Sequence, residues 1–158
     1  MSGVNETALE NQFDTARAVV SLLINGTVMR CPNIRFIFTH GGGGLPFLHE
    51  RLQHLIAEDL PKTEWTTGDG RYKNQYFPNG FDAEVQKLYF DTVRVVHPAN
   101  FALMLKLMNP QHILFGTDFP IVPVSETVSR LPGLALERGV LRGVERANAG
   151  ALFPRLRI

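Results

Sequence analysis

Ile34-Arg35-Phe36-Ile37-Phe38-Thr39-His40-Gly41-Gly42-Gly43-Gly44 is a short apolar run ending in an imidazole and four glycines. Ile113-Leu114-Phe115-Gly116-Thr117-Asp118-Phe119-Pro120 repeats the plan with a carboxylate. Both runs have the length of buried strands, and glycine or proline closes each of them. A polar residue at the carboxyl end of a buried strand is where parallel α/β folds collect ligands and catalytic groups. The strand end is rigid there, and the loop that follows forms a crevice.

On either side the spacing turns helical. Phe13, Ala16, Val19, Val20, Leu23 and Ile24 predict a helix over 14–29, stopped or kinked at Asn25-Gly26. Leu45-Pro46 opens a second helix with Leu48, Leu52, Leu55 and Ile56 inward, ending near Asp59. From 61 to 80 the chain is turn-rich and aromatic, with Trp65, Tyr72, Tyr76 and Phe77, and reads as one long loop. A short helix over 82–87 precedes a third strand, Leu88-Tyr89-Phe90-Asp91-Thr92. Pro98 then starts a helix carrying Phe101, Leu103, Leu105 and Leu107, which Asn109-Pro110 closes. Helices over 125–131 and 140–152 complete the order α-β-α-loop-β-α-β-α. Strands separated by such helices must pair in parallel through right-handed crossovers.

The bulk numbers narrow the function classes. A length of 158 residues suits one domain with a real core. Sixteen Lys and Arg against fifteen Asp and Glu give a net charge of +1 without a basic block, which argues against nucleic acid or an anionic membrane as partner. No apolar run approaches the roughly 18 to 20 residues of a membrane span, and no early stretch reads as a signal peptide, so the expectation is a cytoplasmic protein. Cys31, the single cysteine, precedes Pro32 at the start of a strand and is expected to be an inert buried thiol.

Several polar residues keep two readings. Gly41 to Gly44 let the backbone turn sharply, and a phosphate loop is not indicated without a Lys-Ser/Thr ending. Asp91 ends its strand as Asp118 does, and either lines a pocket or caps the loop after it. His97, in the following loop, is within reach of a substrate, whereas His112 precedes its strand on the opposite rim, where structure is the better reading. His49 and His54 are five residues apart, the wrong spacing for one helical face or a shared metal.

Taken together, Phe13-Asp14-Thr15, Arg30-Cys31-Pro32-Asn33-Ile34, Thr39-His40-Gly41-Gly42-Gly43, Pro46 with Arg51, Tyr89-Phe90-Asp91-Thr92, Ile113 to Pro120, and Asn148 with Leu152-Phe153-Pro154 resemble the amidohydrolase-related family. The branch closest in pattern is the aminocarboxymuconate-semialdehyde decarboxylase type. The resemblance runs from about residue 13 to 156. It implies a single partial domain over 1–158, with a flexible start over 1–12: roughly the last three βα units of a (β/α)8 TIM barrel, with a preceding helix. A complete barrel takes at least about 200 residues.

The resemblance also implies a chemistry. Asp118 falls on the eighth-strand metal ligand, and His40 on the sixth-strand histidine that moves a proton to or from the reacting carbon. Arg51, eleven residues after His40, falls on an arginine that binds a substrate carboxylate, often across a dimer interface; a plain surface arginine is the other reading. The family's His-x-His pair occurs nowhere in this chain. The expectations are a divalent metal, zinc, bound weakly or not at all by the isolated chain, and a small aromatic or unsaturated carboxylate as substrate. The parent activity is decarboxylation, with hydrolysis of a C–O or C–N bond, or a non-catalytic fragment that only oligomerises, as alternatives. The expected partner is a second copy or a missing amino-terminal half.

Overall fold

The computed structural model describes residues 3, 5–59 and 76–156. The greater part of the loop expected over 61–80, with Trp65 and Tyr72, lies outside them.

Three short strands, β1 (Ile37–Phe38), β2 (Tyr89–Asp91) and β3 (Ile113–Leu114), form a parallel sheet in the order β1-β2-β3. Ile37 stands opposite Tyr89, and Phe90 opposite Ile113. The strands are shorter than the apolar runs that announce them: β1 lacks residues 34–36 ahead of it, and β3 lacks residues 115–117 behind it. Beyond the ladder, the Tyr89 N–H still donates to the Phe36 carbonyl at 2.9 Å. Parallel pairing matches the α/β class expected from the sequence, and the central strand carries the best-buried ring, Phe90, tilted against Phe38 at a centroid distance of 5.9 Å.

Eight α-helical segments surround the sheet among the described residues: α1 (Glu6–Ile24), α2 (Thr27–Arg30), α3 (His49–His54), α4 (Phe81–Val85), α5 (Pro98–Leu107), α6 (Val124–Arg130), α7 (Arg138–Arg142) and α8 (Asn148–Leu152). The first helix starts well before residue 14, inside the stretch expected to be a flexible start, because the Asn5 side chain accepts from the Thr7 N–H at 3.0 Å. It ends at Asn25 because Gly26 takes a left-handed conformation, and α2 restarts behind it. Leu45 to Leu48 form turns rather than the first turn of α3, which begins at His49 and runs into a wider π-helical turn over Leu55–Asp59. The last predicted helix is α7 and α8 joined by a similar turn over Gly143–Ala147.

The core is one cluster in which Val19 and Leu23 of α1, Leu45, Val85, Leu88, Phe90, Phe101, Met104, Leu107 and Ile113 are buried. Phe13 departs from expectation: it is exposed and lies over Gly44 instead of entering the core. Leu103 on α5 is exposed as well. Cys31 is partly exposed rather than buried, since it closes α2 through its N–H to the Thr27 carbonyl at 2.9 Å. No helix among the described residues is long and apolar enough to cross a membrane.

Candidate active site

Parallel pairing puts the carboxyl ends of all three strands on one rim. His40 follows Phe38 of β1 by two residues, Asp91 is the last residue of β2, and Asp118 follows Leu114 of β3 by four. The two residues singled out in the sequence therefore share a rim, with Asp91 on the strand between them.

The backbone at this rim is unusual. His40 has φ 54°, Arg94 φ 56° and Asp118 φ 66°, all in the left-handed region. Each costs about 1 to 2 kcal/mol in a residue with a Cβ, and strain of this kind gathers at functional sites. Directly after His40 the chain coils tightly: the Gly42 N–H donates to the Thr39 carbonyl at 3.0 Å and the Gly43 N–H to the His40 carbonyl at 2.8 Å. Glycine is required at 43, where a Cβ would stand 2.1 Å from the Gln12 carbonyl oxygen of α1. The turn thus docks on α1, and the Gly44 N–H seals it by donating to that carbonyl at 3.1 Å. The glycine run is a steric device, as the sequence suggests, with the amides of Gly42, Gly43 and Gly44 engaged by backbone carbonyls.

Across the sheet, the Asp118 carbonyl accepts from the Ile121 and Val122 N–H groups at 2.9 and 3.1 Å, folding Phe119 and the cis Pro120 into a compact loop. The Thr92 hydroxyl bridges the ends of β2 and β3, donating to the Gly116 carbonyl and accepting from the Gly116 N–H, both at 3.0 Å.

Asp91 is the residue that sequence reasoning left open and the geometry brings forward. Its carboxylate accepts from the Val93 N–H at 3.0 Å. Burial raises its pKa from the ordinary aspartate value, opposed by the Val93 N–H and more weakly by the neighbouring Thr39 and His40. Its central place depends on strand order, which no local motif carries.

The other candidates separate from this rim. Arg51 is exposed on α3. His97 caps α5, its ring nitrogen accepting from the Ala99 N–H at 3.3 Å. His112 stacks on Tyr89 at 4.1 Å at the amino ends of the strands, the structural role expected there. His49 joins α3 to α4, with Nε2 2.7 Å from Asp82 Oδ1, while His54 lies 3.5 Å from Glu58 on its own helix. A cleft of about 230 Å³ lies on the far side of the glycine turn, between Gly41, Phe47, Arg94 and Leu103; His40, Asp91 and Asp118 do not line it.

A catalytic metal normally takes three protein ligands. His40 Nδ1 is buried without a hydrogen-bond partner, so an unsatisfied donor atom does stand at the rim. Yet the described residues contain no group of three His, Cys, Asp or Glu side chains placed to hold a metal ion. A metal site made from these residues alone does not fit.

Comparison with known proteins follows the same lines. The model of the amidohydrolase family matches residues 9–155. The decarboxylase macB of Penicillium terrestre is 33% identical over 157 residues, an alignment covering 95% of this chain and 43% of that protein. The 6-methylsalicylic acid decarboxylase of Penicillium expansum is 30% identical over 147 residues, covering 91% and 42%. Among solved structures, the 5-carboxyvanillate decarboxylase of Novosphingobium aromaticivorans, complexed with manganese and 4-hydroxy-3-methoxy-5-nitrobenzoic acid, superposes with a TM-score of 0.78. It is 13% identical, over 90% of this chain and 39% of that one. The chain spans less than half the length of these relatives.

Proposed function

The chain belongs to the amidohydrolase family, and from that membership we propose that it contributes part of the active site of a non-oxidative decarboxylase for a small aromatic carboxylate. The observation that carries this reading is the convergence of His40, Asp91 and Asp118 on the carboxyl rim of one parallel sheet. Relatives named as decarboxylases favour loss of carbon dioxide over hydrolysis.

In this reading the sheet is the last three βα units of a barrel. Ile34, ahead of β1, and Ile37, its first residue, are 54% and 45% exposed, and Phe119 and Ile121 after β3 are 71% and 76% exposed. Parallel sheets are normally covered on both faces and rarely present such edges to water. Two copies of this chain would supply six strands, short of the eight a barrel needs. The partner is therefore polypeptide bearing the remaining βα units, whether continuous with this chain or separate, rather than a second copy.

His40 carries the proton. Its imidazole delivers a proton to the ring carbon that bears the carboxylate, and the carbon–carbon bond breaks. The electron pair returns to the ring as carbon dioxide leaves, and His40 regains a proton from water. Arg51, exposed on α3 apart from this rim, would steady a substrate carboxylate through two parallel hydrogen bonds only in the site of a second, adjoining copy. Asp118 would lend one ligand to a divalent cation, zinc or manganese, which would polarise the substrate once the completing units supplied the remaining ligands. A reducing, cytoplasmic setting suits the free thiol of Cys31.

The test is carbon dioxide release from 6-methylsalicylate and 2,6-dihydroxybenzoate, with zinc or manganese supplied. The chain is assayed alone and co-purified with the amino-terminal βα units of the Penicillium expansum relative. Turnover is expected only in the complex, and its loss is expected in His40→Ala and in Asp118→Asn. Full turnover in both variants would reject the assignment.

A further inference from the structure

The ladder between β2 and β3 closes with Asp91 opposite Leu114, yet Asp118 lies four residues further along the chain. A side chain fixes the stretch between them. The Thr92 hydroxyl accepts from the Gly116 N–H and donates to the Gly116 carbonyl, both at 3.0 Å, and Thr92 is fully buried. One oxygen thus meets both main-chain groups of the same residue, the pairing an adjacent strand would offer. It does so where the β2 main chain turns away, with the Val95 N–H bonded back to the Thr92 carbonyl at 3.3 Å.

Gly116 is held by contact as well. A Cβ there would lie 2.9 Å from Asp91 Cβ and 3.1 Å from Val93 Cγ2, so the residues on both sides of Thr92 close on it. Beyond Gly116 the hydrogen bonds turn inward. The Thr117 hydroxyl accepts from the Phe119 N–H at 3.3 Å, and the Asp118 carbonyl accepts from Ile121 and Val122. Those bonds give the loop a shape without tying it to the sheet. Among the described residues, Thr92 therefore makes the last hydrogen bonds between the sheet and the β3 chain before Asp118.

We propose that Thr92 is a positioning residue: its hydroxyl takes the place of one further ladder rung, fixes Gly116 against β2, and so sets where Asp118 stands on the carboxyl rim. The inference deepens the decarboxylase reading and rests on it for its effect on turnover, while the pinning of Gly116 is measurable without any activity. A buried threonine that only filled space would accept valine, which has its shape, with no change in the loop after β3.

Amide hydrogen exchange in 1H–15N spectra of the chain reads the pinning directly. In the parent chain the Gly116 amide is expected to exchange as slowly as those of the ladder; exchange at the rate of an unfolded chain would overturn the proposal. Thr92→Val should speed Gly116 exchange by about tenfold or more relative to the core amide of Phe90, and Thr92→Ser, which keeps the hydroxyl, should stay within about threefold of the parent. Equal acceleration at Gly116 and Phe90 in Thr92→Val would mean a merely structural role and would also overturn it. In the completed enzyme, assayed well below its melting temperature, Thr92→Val is expected to lower kcat by about tenfold with KM within about twofold, and Thr92→Ser to restore it. An unchanged kcat in Thr92→Val would contradict the positioning role. Absence of turnover in every form, with Gly116 exchange as expected, would sink the decarboxylase reading and support the pinning.

Discussion

The two ends of the same three strands are built differently. At the amino ends, the buried Glu84 carboxylate and the Asn148 amide are paired, although His112 Nδ1 is buried without a hydrogen-bond partner. Glu84, 1% exposed, takes both 2.6 Å contacts from Lys87 Nζ. The Asn148 amide donates to the Pro110 and Ile113 carbonyls, each at 2.8 Å. Tyr89 stacks on His112. At the carboxyl ends the backbone is left-handed at His40, Arg94 and Asp118, and a carboxyl group is held in a partly desolvating niche. One end is arranged for stability, and the other gives up stability to hold reactive groups in place, the division of labour known for barrel strands.

Substitutions at the two rims should separate accordingly. The largest effect is expected at the amino rim, where Lys87→Met would leave the buried Glu84 carboxylate unpaired and cost about 3 to 5 kcal/mol in urea unfolding. A loss under about 1 kcal/mol would mean that water already screens the pair. Next, Asn148→Ala orphans two carbonyls and should cost about 2 to 4 kcal/mol by the same measurement. At the carboxyl rim the sign reverses: His40→Gly removes a left-handed side chain and should stabilise the fold by about 1 kcal/mol while abolishing turnover in the completed enzyme.

The smallest effect depends on pH. Because burial raises the Asp91 pKa, its folded form favours the protonated carboxyl. Its contribution to stability is present below the unfolded aspartate range and is lost as pH rises through the folded value. Asp91→Asn, which cannot ionise, should therefore gain stability relative to the parent at neutral pH. That advantage should shrink to nothing in acid. Paired thermal melts at pH 7 and below pH 4 would check it, and a gain that grew on acidification would reverse the assignment.

Much of this arrangement is legible in the sequence, and what is not has a physical reason. The run ending in Asp118 marks a real strand because burial on both faces needs continuous apolar sequence, and both residues of β3 are buried; the run ending in His40 marks one too, although Ile37 of β1 stays exposed. The α5 boundaries are readable because Pro98 and Asn109-Pro110 restrict the backbone locally. Phe13 misleads because helical spacing gives the apolar face of α1 but not which neighbour covers it. The early start of α1 depends on one capping contact from Asn5. Asp91 stays ambiguous in the sequence because its importance comes from sitting between β1 and β3, and strand order is a long-range property. Arg51 matches by spacing from His40, yet spacing along α3 does not settle what an exposed side chain meets.

The account stands or falls on the carboxyl rim being the place where an incomplete cation site begins. The direct test is titration of the chain with manganese, read from paramagnetic broadening of backbone amides. Broadening should centre on Asp118 and spread to His40 and Val93, with Tyr89, His112 and Asn148 remaining sharp and saturation requiring a large metal excess. Broadening that leaves the Asp118 and His40 amides sharp, or tight one-to-one binding by the chain alone, would contradict it.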